Sequence, residues 1–140
     1  MYKRILVPTD GSEFAKNAQK HALFIANVCN AKIVALSVSE NHFVSGISLN
    51  EEIEQLNQVL NERCEMDLKD FEDMNEYDVE IESIIKEGSP AKAILDVASQ
   101  EDIDLIVIGS SGKSGFDRFI LGSVSDKVVN AAKCPVLVVH

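Results

Sequence analysis

Five short apolar runs, rich in valine, isoleucine and leucine, divide this chain into segments. They are residues 3–8, 31–38, 78–85, 103–108 and 136–139. In each of the four stretches between consecutive runs, apolar residues recur three or four positions apart. Short apolar runs predict buried strands, and the longer spacing predicts amphipathic helices. Strands that alternate with helices favour an open parallel sheet covered on both faces. Because crossover connections are right-handed, we predict a doubly wound, Rossmann-like α/β fold with four helices and strand order 3-2-1-4-5.

The length of 140 residues suits one domain that covers residues 1–140. Ser12 is the expected N-cap of the first helix, Asn30 ends that helix, Ser89-Pro90 starts the third, and Ser123 resembles a cap of the fourth. The predicted inner faces are Ala15, Ala18, Ala22, Ile25, Ala26 and Cys29 in helix 1, Ile53, Leu56, Leu60, Cys64, Leu68 and Phe71 in helix 2, Ala91, Ile94, Leu95 and Ala98 in helix 3, and Val124, Val128, Ala131 and Ala132 in helix 4. Acidic residues are expected on the outer faces of helix 2.

The charge is strongly acidic and concentrated in one segment. The net charge is −10, and 13 acidic residues against two basic ones lie between Glu51 and Glu82, so the rest of the chain is close to neutral. This balance argues against nucleic acid or an anionic membrane as partner. No apolar run reaches the length of a membrane span and no signal peptide is recognisable, so we expect a cytoplasmic protein. The three cysteines lack metal spacing and are expected to be reduced thiols, with no metal site.

A glycine-rich loop follows the fourth strand. Gly109, Gly112 and Gly115 allow tight turns that bring backbone N–H groups close to an anion. Gly122 and Ser123 then open the next helix, whose first N–H groups and positive dipole end attract anions. Lys113 and Arg118 are candidate countercharges. The pattern favours a phosphate-binding loop, whereas each glycine turn taken alone also occurs in ordinary connections.

The predicted topology places this loop beside the turn at residues 9–11. Ligands of doubly wound sheets bind outside the carboxyl ends of the strands, where the strand order reverses, here between strands 1 and 4. A nucleotide fits these parts, because Asp10 can accept hydrogen bonds from ribose hydroxyls and Val38 can line an apolar slot for a base. The spacing differs from that of the Walker A loop, since two residues rather than four separate Gly109 from Gly112-Lys113. The first turn also lacks the G-x-G-x-x-G pattern of dinucleotide folds.

The whole chain resembles the universal stress protein family. In ATP-binding members a Gly, two residues, a second Gly, nine residues and then Gly-Ser or Gly-Thr recur, and Gly109, Gly112, Gly122 and Ser123 match that spacing without a gap. The opening run 5–12, the Gly88-Ser-Pro90 turn and the closing run 135–139 are similar as well. The resemblance implies ATP or ADP bound with Mg²⁺ or Mn²⁺. It also implies a homodimer through strand 5, formed by Val136, Leu137, Val138 and Val139, which suits an apolar edge strand.

The resemblance also distributes roles over the motif. It implies adenine near Pro8, Thr9 and Val38, ribose near Asp10 and Gly109, and phosphates on Gly112, Gly122, Ser123 and neighbouring loop atoms. The full set of candidate nucleotide-binding residues is Pro8, Thr9, Asp10, Val38, Gly109, Ser111, Gly112, Lys113, Arg118, Gly122, Ser123, Val124 and Ser125.

No catalytic residue is assigned, because no motif supplies a base or a water-positioning group for hydrolysis. We therefore expect an ATP-binding universal stress protein that acts as a nucleotide-dependent switch in a stress response. A slow Mg-dependent ATPase and a nucleotide-free dimeric interaction module remain alternatives, and cyclic AMP remains an alternative ligand.

Overall fold

The computed structural model describes residues 1–40, 51–111 and 121–140. The strands are β1 (Arg4–Pro8), β2 (Lys32–Ser39), β3 (Ile81–Glu87), β4 (Leu105–Gly109) and β5 (Val136–Val139). The helices in these ranges are α1 (Glu13–Cys29), α2 (Glu51–Asp73), α3 (Pro90–Gln100) and α4 (Ser123–Ala131). None of them is both long enough and apolar enough to cross a membrane.

The five strands form one parallel sheet in the order β3-β2-β1-β4-β5. The predicted α/β fold and strand order are therefore confirmed. The internal strands β1, β2 and β4 are almost wholly buried, whereas most residues of the edge strand β3 are partly or fully exposed. β3 begins three residues later than predicted, since Asp78 has a φ of 56°, which an extended strand cannot contain.

Two hydrophobic layers cover the sheet. Successive side chains of a strand point to opposite faces, so Ile5 and Val7 pack toward α1 and α2 while Leu6 packs toward α3 and α4. Phe71 of α2 is completely buried in the first layer, and burial of a side chain of this size contributes about 2–3 kcal/mol. The two layers hold the carboxyl ends of the strands at one edge.

The joint between β1 and β4 is paired over only two residues. Ile5 pairs with Leu105 and Leu6 with Ile106, and no further pair joins the described residues of the two strands. At the amino ends, the carboxylate of Asp104 accepts hydrogen bonds from the backbone N–H groups of Lys3 (2.8 Å) and Arg4 (3.2 Å). The Arg4 guanidinium also forms an ion pair with Glu101 at 2.9 Å. Hydrogen bonds and an ion pair thus stabilise the joint at the amino ends of β1 and β4, whereas the described carboxyl ends of these two strands are not paired with each other.

The helix ends follow the predicted signals in three of four cases. Ser89 is the N-cap of α3 and Pro90 is its first residue. Ser12 caps α1 by accepting a hydrogen bond from Ala15 N–H at 3.1 Å, and Asn30 ends that helix in the left-handed conformation. The expectation that Ser123 caps α4 was wrong, because Gly122 has the extended cap conformation and Ser123 is the first helical residue.

The predicted faces were partly wrong. Leu56 of α2 is 43% exposed and Asp67 is buried. A helix of 23 residues is about 35 Å long, more than the sheet can cover, so the first half of α2 extends beyond the carboxyl edge. Ile25, Cys29, Ala98, Val124 and Ala132 are half-buried and pack against the core, as predicted for inner faces. The further departures are Ile53, Leu60 and Leu95, which are half-buried, Ala131, which is exposed, and Gln19, Leu23, Ala93, Val97 and Ser125, which are buried although no face was predicted to include them.

Candidate functional site

A cleft of about 460 Å³ lies at the carboxyl edge of the sheet, beside the ends of β1 and β4 and beyond their last pair. Ten predicted site residues line it, namely Pro8, Thr9, Asp10, Val38, Gly109, Ser111, Gly122, Ser123, Val124 and Ser125. Gly112, Lys113 and Arg118, together with Gly115, lie outside the described residues. The topology thus brings the ends of β1, β2 and β4 and the start of α4 to one cavity.

The turn from β1 into α1 is held from two sides. The Thr9 N–H donates to the carbonyl oxygen of Leu36 in β2 at 2.8 Å, and the buried Gln19 side chain donates from Nε2 to Thr9 Oγ1 at 2.5 Å. Thr9 is therefore fixed to the neighbouring strand and to the first helix at once. Gln19 was missed by sequence reasoning, although a polar residue on the apolar face of helix 1 was a visible signal.

Asp10 has one oxygen committed to the turn. Its Oδ1 accepts a hydrogen bond from the Ser12 N–H at 2.9 Å, a local closure typical of aspartate before a helix. Gly11 between them has a φ of 78°, a region that other residues rarely adopt. Among the described residues no donor faces the second oxygen, Oδ2, so this atom is available to a ligand hydroxyl.

Packing gives a second reason for a glycine at Gly109, beside the binding role predicted for it. A Cβ at this position would lie 2.8 Å from the carbonyl carbon of Phe14 and 2.9 Å from its Cβ and carbonyl oxygen. Gly109 ends β4 as an ordinary strand residue, and its φ is not positive. Close packing of the first turn of α1 on β4 therefore requires this glycine.

The amino end of α4 is tied back to the end of β4. The Gly122 N–H donates to the Ser110 carbonyl oxygen at 2.8 Å, and the Ser125 hydroxyl donates to the same oxygen at 2.8 Å. The first N–H groups of a helix have no partner within it. In the described part of the chain no side chain caps this helix end. The cleft therefore meets a helix end that favours an anion.

Apolar side chains form the floor of the cleft beside β2. Leu36, Ile94 and Ile108 are buried, and Val38 and Pro90 are half-buried. Leu36, Val38, Ile94 and Ile108 belong to the hydrophobic layer on the α3 and α4 face of the sheet, and they leave a slot next to the polar Thr9 turn. The combination of an apolar slot, a carboxylate and a helix amino end suits a ligand with a flat apolar group at one end and an anion at the other.

The wall opposite the slot comes from α2 and was missed from the sequence. Leu60, Arg63, Cys64 and Asp67 line the cleft at the spacing of one helix face. Asp67 had been counted among the acidic residues of the outer faces, and Arg63 only in the local charge balance. Their position follows from the overhang of α2 beyond the sheet, which a periodicity argument does not contain.

A second hollow in the described residues lies away from the cleft. It is shallow, has a volume of about 450 Å³, runs along the polar face of α2 between Glu54 and Glu65, and is lined by that helix alone.

Two titratable groups away from the cleft have shifted pKa values. Glu80 and Glu82 raise the pKa of Lys32, and burial raises the pKa of the Cys134 thiol. In the described ranges no cluster of His, Cys, Asp and Glu could hold a metal ion, and the three cysteines are free.

Comparisons with known proteins agree with this architecture. The family model described as "Universal stress protein family" matches residues 1–140. A universal stress protein of Methanocaldococcus jannaschii is 39% identical over 140 residues, which cover 99% of this chain and 82% of that protein. The structure of UspA from Lactobacillus plantarum superposes with a TM-score of 0.90 at 29% identity, covering 99% and 98% of the two chains. A universal stress protein crystallised in complex with cAMP gives 0.76 at 28% identity, covering 99% and 97%.

Proposed function

This chain belongs to the universal stress protein family, and we propose that it binds ATP or ADP in the cleft between β1 and β4 as a nucleotide-dependent switch. The observation that carries the proposal is the open joint of the sheet. An apolar slot, the Asp10 carboxylate and the uncapped start of α4 converge there on one cavity. The complex of a related protein with cAMP supports an adenine nucleotide as the ligand class.

The described residues fit the three parts of a nucleotide. The slot beside Val38 would take the base, with Pro8 and Thr9 at its edge. Asp10 Oδ2 would accept a hydrogen bond from a ribose hydroxyl, since Oδ1 is held by Ser12. The N–H groups of Ser123, Val124 and Ser125 would receive the phosphates.

Gly122 suits a close approach of phosphate to the backbone. A Cβ at Gly122 would lie only 3.2 Å from the Ser111 Cα, so the space between the Gly122 backbone and Ser111 is narrow. Ser111 and Gly109 complete the described wall, and the motif continues into Gly112, Lys113 and Arg118. Mg²⁺ or Mn²⁺ would enter with the nucleotide, because phosphate oxygens are preferred ligands of hard cations.

A switch follows from where the ligand would lie. The base and ribose would contact β1 and β2, and the phosphates would contact β4 and α4, so a bound nucleotide joins the two parts of the sheet across their shortest ladder. A ligand that binds only the joined arrangement shifts the population toward it by its difference in affinity. We infer that partner proteins distinguish the loaded and empty forms by this change.

We further propose that two copies associate through β5. Val136, Leu137 and Val138 are half-buried in the single chain, and among the described strands β5 pairs with β4 alone. An unpaired apolar edge strand at the border of a sheet is stabilised when a second copy covers it. The association would form a symmetric homodimer.

The experiment uses Ser123, the exposed first residue of α4. Ser123→Asp places a carboxylate where the phosphates would bind, yet an acidic residue in the first turn stabilises a helix, so folding should be retained. Ser123→Asn is the matched neutral control. Isothermal titration calorimetry with Mg-ATP, ADP and cAMP should show binding by the unaltered protein. The affinity for ATP should fall at least about tenfold in Ser123→Asp, because two like charges are then brought together, and it should fall less in Ser123→Asn.

Three results would contradict the proposal or a part of it. Absence of heat and of any thermal shift with all three nucleotides, for a natively folded sample, would overturn nucleotide binding. Equal ATP affinity in Ser123→Asp and the unaltered protein would remove the start of α4 from the phosphate site. Tighter binding of cAMP than of ATP would reassign the ligand to a cyclic nucleotide.

A further inference from the structure

One face of α2 forms a wall of the cleft. Leu60, Arg63, Cys64 and Asp67 recur at intervals of three and four residues and all line the cavity. Cys64 and Asp67 are buried, whereas the Arg63 side chain is 61% exposed, so its guanidinium can be reached by a ligand from solvent. The middle of α2 is therefore part of the site, although no residue of the glycine motif belongs to it.

Arg63 is directed toward the turn that follows β1. Its Nε lies 3.8 Å from Oδ1 of Asp67, and Asp67 in turn lies against the backbone of that turn. A Cβ added to Gly11 would be only 2.7 Å from the same Oδ1. Since Gly11 follows Asp10 directly, the ion pair holds the Arg63 guanidinium near the end of the cleft where a ribose and the first phosphate would meet.

The charges of the cleft give this arginine a function. Four charged side chains line the described part of the cavity, and three of them are the carboxylates Asp10, Glu40 and Asp67. Three carboxylates would repel a polyanion, so a phosphate chain needs a compensating cation. Arg63 is the cation that the described wall supplies.

We propose that Arg63 contacts the phosphates of the bound nucleotide and sets the preference of this site for nucleotides over nucleosides. The inference rests on the proposed nucleotide binding and assigns to α2 a role that the glycine motif does not contain. The long distance of 3.8 Å to Asp67 marks a weak pair, which a phosphate oxygen can replace or share.

A second ion pair on the same helix offers a matched control. Lys69 and Asp73 are also four residues apart, their charged atoms are 3.6 Å apart, and both side chains are largely exposed. Neither residue lines the cleft. Lys69→Gln and Arg63→Gln therefore remove the same unit of charge from the same helix, and only the second removes a cation from the cavity.

The experiment compares the affinities for Mg-ATP and for adenosine in the full chain by calorimetry at low ionic strength. In Arg63→Gln the ATP affinity should fall at least about tenfold, the lower end of the range for loss of one hydrogen bond to a charged group, while the adenosine affinity stays unchanged. Arg63→Lys should recover part of the loss, and Lys69→Gln should match the unaltered protein. Higher salt should reduce the difference, because exposed charges are screened.

The outcomes separate this inference from the function on which it rests. If the unaltered protein binds ATP and Arg63→Gln leaves the ratio of ATP to adenosine affinity unchanged, the role of Arg63 is refuted and nucleotide binding stands. An equal loss in Lys69→Gln would also refute it, since the effect would then be a property of the total charge. Failure of the unaltered protein to bind any nucleotide overturns both.

Discussion

Replacement of Gly109 by alanine tests whether α1 and β4 pack as closely as the structure shows. The new Cβ would lie 2.8 Å from the Phe14 carbonyl carbon and 2.9 Å from its carbonyl oxygen. Carbon atoms in contact are normally about 3.5–4.0 Å apart, so helix and strand must separate by roughly 0.7 Å. The obstructing atoms belong mainly to backbone, and rotation of a side chain cannot relieve the contact.

The expected cost can be worked out from two opposing effects. Overpacking of a core costs about 1–3 kcal/mol, and the upper value applies because a backbone must move. Alanine in a strand is favoured over glycine by about 0.5–1 kcal/mol, which offsets part of the loss. We expect Gly109→Ala to lower the free energy of unfolding by about 2 kcal/mol and the Tm by roughly 7 °C for a chain of this size.

Urea unfolding followed by far-ultraviolet circular dichroism measures this loss, since the chain has no tryptophan to report by fluorescence. Gly122→Ala is the control, because its Cβ would lie 3.2 Å from Ser111 Cα and needs a shift of only a few tenths of an ångström. Its loss should stay below about 1 kcal/mol. A Gly109→Ala protein as stable as the unaltered one, or less affected than Gly122→Ala, would refute the close packing of α1 on β4.

Three further predictions concern other contacts. Gln19→Leu should lower the free energy of unfolding by about 1 kcal/mol, because Thr9 Oγ1 loses its hydrogen-bond partner. Adding Thr9→Val should recover most of this free energy, and an additive second loss would contradict the pairing. Val138→Pro should convert a dimer to a monomer in light scattering while the circular dichroism spectrum stays native. Alternate residues of β5 bond to β4, and the Val138 N–H points away from β4, so proline removes a donor only from the free edge. A persistent dimer would exclude this edge as the interface. The contacts with Glu80 hold the pKa of Lys32 above its usual 10.5, so they stabilise the fold fully below that pH and are lost as the pH rises through the folded-state pKa. In urea unfolding at increasing alkaline pH, the free energy of unfolding should therefore fall less in Lys32→Met than in the unaltered protein. Equal falls in the two proteins would contradict this prediction.

Much of the fold could be predicted from sequence because strand burial leaves a direct mark. The continuous apolar runs of β2 and β4 reflect cover on both faces, and Ser12 and Asn30 show their capping roles locally. Right-handed connections then leave few strand orders. The predicted order puts the carboxyl ends of β1 and β4 side by side, and this predicts the position of the cleft.

The composition of the site could be predicted less well, because it depends on distances between elements. Arg63 and Asp67 look like solvated charges unless the length of α2 relative to the sheet is known. Gly109 was predicted only as a residue of the binding loop, and the sequence did not reveal that its missing Cβ also accommodates Phe14. A spacing motif records that a glycine is needed and does not say which neighbour requires it. The roles predicted for Lys113 and Arg118 lie outside the described residues and stay predictions.

Only two residue pairs join β1 to β4, between the hydrogen bonds of Asp104 at the amino ends and the cleft at the carboxyl ends. Pro8 and Gly109 end the two strands on the cleft side, where Pro8 pairs with β2 and Gly109 with β5. Gly109 is three residues, or roughly 10 Å, beyond the last pair, so a rotation of about 5° between the two strands would move it by roughly 0.9 Å. A small rotation of the two halves of the sheet about this short ladder would therefore change the width of the cleft.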